Sequence, residues 1–284
     1  MRVLRTAMTA MVAAAMGCGS DNGTGTVRVS VWGEEYIQDM IPPVMGAEAG
    51  IENGWTVRYT KFLVNLGAVR LATSASAAPS GTLAGFRVFD LHTLTGPLVI
   101  GTFSNVSAVR QADVGYALAP VDAASSAGNA TAADVTLMRA GSYAVYVEGT
   151  ASKAGVADVR FRWGFTGRTD FYDCHDSTEQ PGVAVPTSGT ASMQLTLHGD
   201  HLFYDDLQSP DARLRFDAIA AADANGDREV TLDELGAVQL TTLPMTQYST
   251  GPLPNVRTLR DFVTHLVSTV GHFNGEGHCQ ERRS

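Results

Sequence analysis

The chain has 284 residues, 44% of them hydrophobic and 17% charged, a globular balance that supports a sizeable core and excludes wholesale disorder. Its net charge of −9, without any cluster of Lys or Arg, excludes a nucleic-acid binder, which must neutralise phosphates. The length allows one large domain or two small ones.

The chain opens with "MRVLR", two positive charges, then the apolar run "TAMTAMVAAAM", then Gly17-Cys18. This is the order of a secretory signal, and the run falls short of the roughly 20 residues that cross a bilayer. The Gly-Cys junction resembles the lipobox of bacterial lipoproteins, with Ala15 where Leu is commoner. The resemblance implies a signal peptide over 1–17, lipidation of Cys18 and a membrane anchor through that lipid. With Gly19 next, it implies, in a Gram-negative host, the outer membrane of the cell envelope, facing periplasm or surface. An ordinary signal peptide with cleavage nearby is the alternative. "GSDNGTGT" completes a flexible tether over 18–26.

Residues 27–200 read as strands. "TVRVSVW" (26–32) alternates through Val27, Val29 and Val31, and "WTVRYT" (55–60) through Trp55, Val57 and Tyr59. Further strands are expected at 62–71, 86–91, 97–103, 143–149, 159–165 and 193–197, with short helical turns at 33–40 and 132–139. Clusters of Gly, Pro and Ser separate them, which predicts an antiparallel β-sandwich. The stretch "YTKFLVNLGAVRL" (59–71) resembles the exported copper-binding proteins associated with methanobactin systems, which are also β-rich and equipped with Trp and His. That resemblance carries over no individual residue.

After residue 200 the period becomes helical, at 211–223, 231–240 and 255–271, the last ending on Gly271 as a C-terminal stop. The fold class is therefore mainly β, a sandwich followed by a small helical unit over 201–284. Between the first two helices lies "DANGDREVTLDE". Asp223, Asn225 and Asp227 stand at loop positions 1, 3 and 5. Glu229 would offer its carbonyl, Thr231 a direct or water-mediated oxygen, and Glu234 a bidentate carboxylate. The spacing resembles the EF-hand calcium loop. Arg228 replaces the usual glycine, so the resemblance implies a weak structural calcium site of about 10⁻⁴–10⁻³ M.

Cys174 and Cys279 are left as an even pair and are expected to form a disulfide in an oxidising compartment. That pairing would make neighbours of His175 and His278. With His198, His201 and His272 they are candidate ligands for copper or zinc, nearby carboxylates supporting them. The bland reading is that these histidines fill polar loops. His198 is placed on the polar face of strand 193–197, opposite Met193, Leu195 and Leu197. His265 is read as solvent-facing, and His92 is given no partner.

No nucleophile elbow, P-loop, H-E-x-x-H or dinucleotide fingerprint is present. The acid pairs Glu34-Glu35 and Asp205-Asp206 do not define a glycosidase, and Trp32, Trp55 and Trp163 are expected in the core rather than in a sugar groove. The reading chosen is a calcium-stabilised, lipid-anchored protein with a binding or structural role and no enzyme activity; the alternatives are an envelope copper or zinc binder and a carbohydrate-active hydrolase. No protein or glycan partner can be named from the sequence.

Overall fold

The computed structural model describes residues 23–45, 50–244 and 246–284. The signal segment, Cys18 and most of the tether lie outside these. The chain is mainly β. Its strands are β1 (Thr24–Gly33), β2 (Trp55–Ala72), β3 (Gly81–Asp90), β4 (Leu98–Ser107), β5 (Arg110–Gln111), β6 (Asp113–Leu118), β7 (Ser126–Ala127), β8 (Val145–Lys153), β9 (Val156–Phe165), β10 (Thr169–Tyr172), β11 (Val183–Ala184), β12 (Thr190–Leu197), β13 (Glu229–Val230), β14 (Gly271–Phe273) and β15 (Gln280–Arg283). Among the described residues, five short α-helices punctuate them: α1 (Glu35–Gln38), α2 (Ala132–Ala140), α3 (Asp217–Ala220), α4 (Leu232–Ala237) and α5 (Leu259–Leu266).

Of the two main sheets the smaller runs β14-β12-β1-β4, and β5 and β11 form a separate two-stranded ladder. The larger runs β13-β9-β8-β2-β6-β10-β15, with β3 added to β2 and β7 to β3. Pairing is mixed rather than purely antiparallel, because β1–β12, β3–β7 and β9–β13 are parallel ladders. Alternation works as read in β1, where Val27, Val29 and Val31 are wholly buried. The two strands expected at 55–60 and 62–71 are one, β2, kept continuous by irregularities at Tyr59/Lys61 and Gly67/Val69. Its middle is buried on both faces. Phe62 and Val64 join the main core, while Leu63 packs with Val88, Val135, Met138 and Tyr146 beneath α2. A Thr131–Asp134 capping box starts α2, and Lys61 Nζ reaches Asp134 at 2.6 Å.

Residues 201–284 depart most from expectation. They do not form a separate bundle of helices, because β13, β14 and β15 pair with β9, β12 and β10 and weave the segment into both sheets. Only Asp217–Ala220 of the 211–223 helix forms. Leu214 bridges instead to Ile51 and Tyr204, and Phe216 inserts against Trp55 with ring centroids 5.2 Å apart. The last helix starts later than its periodicity implied, after a Thr258–Asp261 capping box. It tightens into a 3₁₀ turn at Val267–Thr269, and Gly271 opens a strand rather than closing a helix. Glycine is required there by close approach, since a Cβ would sit 2.4 Å from the Phe171 ring.

His265 is buried, a correction to its solvent-facing reading. Beside the polar side of α5 lies β15, whose Arg283 shares a cleft with His265, Arg260 and Asp261. Burial first, and the Arg283 charge second, lower the His265 pKa to about 4. The unfolded imidazole then takes a proton before the folded one. The stability that neutral His265 contributes is complete above about pH 6.5 and is lost as pH falls toward 4. A titration of its ring signals by NMR is expected to centre near 4, and the protein should lose stability relative to His265→Asn across that window. A ring that titrates near 6.5 would contradict this.

Trp55 and Trp163 lie in the core and Trp32 is half-buried. Asp205 pairs with Arg215, and Asp206 accepts the backbone N–H groups of Gln208 and Ser209, so both acids serve the local chain path. His92 has a partner, with Nδ1 2.8 Å from the Ile37 carbonyl.

Candidate metal centre

At one end of the smaller sheet three imidazoles converge. β12 ends at Leu197, and His198 follows, held by its N–H donating to the Val270 carbonyl at 2.9 Å. His201 stands in the 3₁₀ turn Asp200–Phe203, whose entrance is fixed by Tyr59 Oη donating to the Gly199 carbonyl. His272 is the middle residue of β14, opposite Thr196 on β12, and Tyr116 Oη donates to its carbonyl at 3.0 Å. One ring nitrogen from each of the three lies within 4.8 Å of the others. Ring centroids are 4.0 Å apart for His198–His272, 4.9 Å for His201–His272 and 5.4 Å for His198–His201.

The hydrogen bonds around His201 assign its tautomer. Thr269 Oγ1 spends its single proton on the Leu266 carbonyl, so it can only accept from His201 Nδ1, 2.9 Å away. Nε2 of His201 therefore carries the lone pair and is available to an ion. His198 Nε2, His272 Nδ1 and Asp200 Oδ1 are all buried without a hydrogen-bond partner. Orphaned imidazole nitrogens in one place would cost stability in a purely structural cluster, and an ion would satisfy them.

Electrostatics favour unprotonated ligands at two of the three positions. Burial, reinforced by the other imidazoles, drives His201 down to about 3 and His272 down to about 2. For His198 burial also disfavours the imidazolium, but the Glu34 carboxylate, helped by Asp200 and Glu276, outweighs it and raises the pKa. Asp200 is raised by burial, and Tyr204 Oη donates to its Oδ2 at 3.1 Å. The cluster opens onto a cleft of about 640 Å³ whose other walls include Tyr36, Tyr204, Glu276 and His278.

His278 is exposed at the rim, its ring 5.3 Å from that of His272. His175 does not join. The disulfide Cys174–Cys279 makes the two neighbours along the backbone, His175 N–H donating to the His278 carbonyl at 2.7 Å. The His175 ring turns to Asp173, 3.4 Å away, and toward Glu179. Sequence reasoning missed Glu34 as a neighbour of His198. Only the parallel register of β1 and β12, Gly33 opposite Leu197, sets the next residues side by side, and no local pattern encodes it.

The 223–234 loop lies on the edge of the larger sheet. Asp223 accepts the N–H groups of Gly226 and Arg228, and Asp227 that of Glu229. Glu234 reaches back to the N–H groups of Ala224 and Thr231, while Thr231 caps α4. Glu229 turns its carboxylate to Arg160 and Arg162, which leaves its carbonyl as its contribution to any ion. Among the described residues, sets of converging donors draw on Glu34, His198, His201, His272 and Glu276 and on none of the loop.

No protein-family model, curated protein or solved structure matches the chain.

Proposed function

We propose that this protein binds a transition-metal ion, copper or zinc, on His198, His201 and His272, as an envelope protein carried on a two-layer β-sandwich. The observation that supports it best is the convergence of three imidazoles, two of them buried with an unpartnered nitrogen, beneath an open cleft. Borderline imidazole donors suit zinc and copper, and an open fourth side suits a carrier or an exchanging ligand. On the lipobox resemblance, the ion is held at the membrane surface through a lipid on Cys18. The test is metal analysis of purified protein followed by Zn²⁺ and Cu²⁺ titration of the metal-free form. About one ion per chain, lost in His198→Ala and His201→Ala, is the expected result. Titration curves identical to those of the variants would end this reading.

A second reading, of calcium at 223–234, is favoured by one further observation. Arg228 stands at φ +64°, the left-handed conformation for which such loops use glycine. Positions 7 and 8 of the loop, Glu229 and Val230, form β13 against β9, and Trp163 Nε1 donates to the Val230 carbonyl at 2.9 Å. The sheet edge thus takes the place of the second loop with which EF-hands usually pair. Calcium at ten times its Kd is expected to stabilise the protein by about 1.4 kcal/mol. Glu234→Gln should abolish that shift in thermal melts, and an undiminished shift in the variant would refute the site.

A further inference from the structure

Two carboxylates line the cleft beside the triad. Glu34 follows β1 and is half-buried, with Oε2 3.4 Å from His198 Nε2. Glu276 is exposed on the turn after β14. That turn is pinned by Thr196 Oγ1 donating to the Gly275 carbonyl at 2.9 Å and by the Phe273 N–H donating to the Gly277 carbonyl. One oxygen of each and one nitrogen of His198 lie within 4.8 Å of one another. This set and the triad have only His198 in common.

We propose that Glu34, His198 and Glu276 form a second, outer cation position, richer in oxygen than the triad; the proposal rests on the reading of the cleft as a metal site. Neither carboxylate pairs with a Lys or Arg among the described residues. His198 is 6% exposed, and its Nε2 is unpartnered and turned toward Glu34. Two carboxylates with a neutral imidazole carry two negative charges, which one divalent cation balances. The donor set suits Mn²⁺ or Zn²⁺, whereas the all-imidazole triad discriminates against Mn²⁺. An ion arriving from solvent meets the exposed Glu276 before the buried ring of His272, so the outer position is also a first station on the way in.

The test uses Mn²⁺, whose free ion is counted by its EPR signal. It is run in the Glu234→Gln background, so that the 223–234 loop does not take the ion. A neutral imidazole has one lone pair, so His198 serves one ion at a time; the metal-free protein is expected to bind about one equivalent of Mn²⁺, at least about tenfold more weakly in Glu34→Gln and in Glu276→Gln. No Mn²⁺ uptake, or uptake that both variants leave unchanged, would overturn the outer position. Loss of Zn²⁺ binding in the carboxylate variants would also overturn it, by assigning the carboxylates to the same ion as the triad. The double variant His201→Gln/His272→Gln separates this idea from the triad reading. It should still bind Mn²⁺ in a Glu34-dependent way even if the triad itself takes no Zn²⁺, and failure there would count against the outer position alone.

Discussion

His272→Phe is expected to stabilise the metal-free protein by about 1 kcal/mol while removing most of its stabilisation by Zn²⁺. His272 is 6% exposed and its Nδ1 is buried without a partner. A buried polar atom left unsatisfied costs about 1–3 kcal/mol, and a phenyl ring of similar shape does not incur that cost. With metal present the sign reverses. An ion at a hundred times its Kd contributes about 2.7 kcal/mol. Losing one of three ligands should weaken binding by more than the roughly 10–100-fold typical of a supporting residue. Chemical denaturation with and without Zn²⁺ reads both effects. A variant destabilised under both conditions would mean that His272 is a packing residue, and the case for the triad would lose its main support.

Removing the disulfide, by Cys174→Ala with Cys279→Ala, is expected to lower stability by roughly 4–5 kcal/mol in the loop-entropy account, and by less where the unfolded chain is compact. The bond closes a separation of 105 residues, and Cys174 is fully buried. Its local effect bears on the metal. It anchors the segment that carries His272, Glu276 and His278 to the end of β10, alongside the Tyr172–Gln280 pairing and the bond from His175 to the His278 carbonyl. Once released, that segment must be ordered when the ion binds, at about 0.5–1.5 kcal/mol for each side chain immobilised. Zn²⁺ affinity should therefore fall about tenfold. The guanidinium midpoint and a Zn²⁺ titration of the double variant measure the two consequences, and an unchanged midpoint would refute the first.

The legible part of this chain was what local physics writes. Val27, Val29 and Val31 announce a one-sided strand, and two cysteines left over after Cys18 announce a bond. Three of the five suspected histidines meet, with His278 at their rim. What stayed illegible was partner choice. β13 and β14 are too short to show a period, yet β14 carries His272. Phe216 and Ile219 fit a helical stripe, but they are anchors for a single turn, because tertiary burial outweighs propensity in so short a segment. His265 was misplaced because the polar side of a helix faces solvent only if nothing else covers it.

The parallel ladder of β1 and β12 joins Thr26 to Thr190 and Gly33 to Leu197. Contacts between residues so far apart in sequence make folding slow, since the whole intervening loop must close before they form. The first strand can pair with β4 early, but its parallel partner is complete only when the chain through residue 197 is available, and the triad cannot close until His272 is as well. A chain delivered N-terminus first thus has no assembled triad during transit. On the proposed reading as an exported metal binder, the ion it acquires would be set by the metal supply of the compartment where its last few dozen residues arrive.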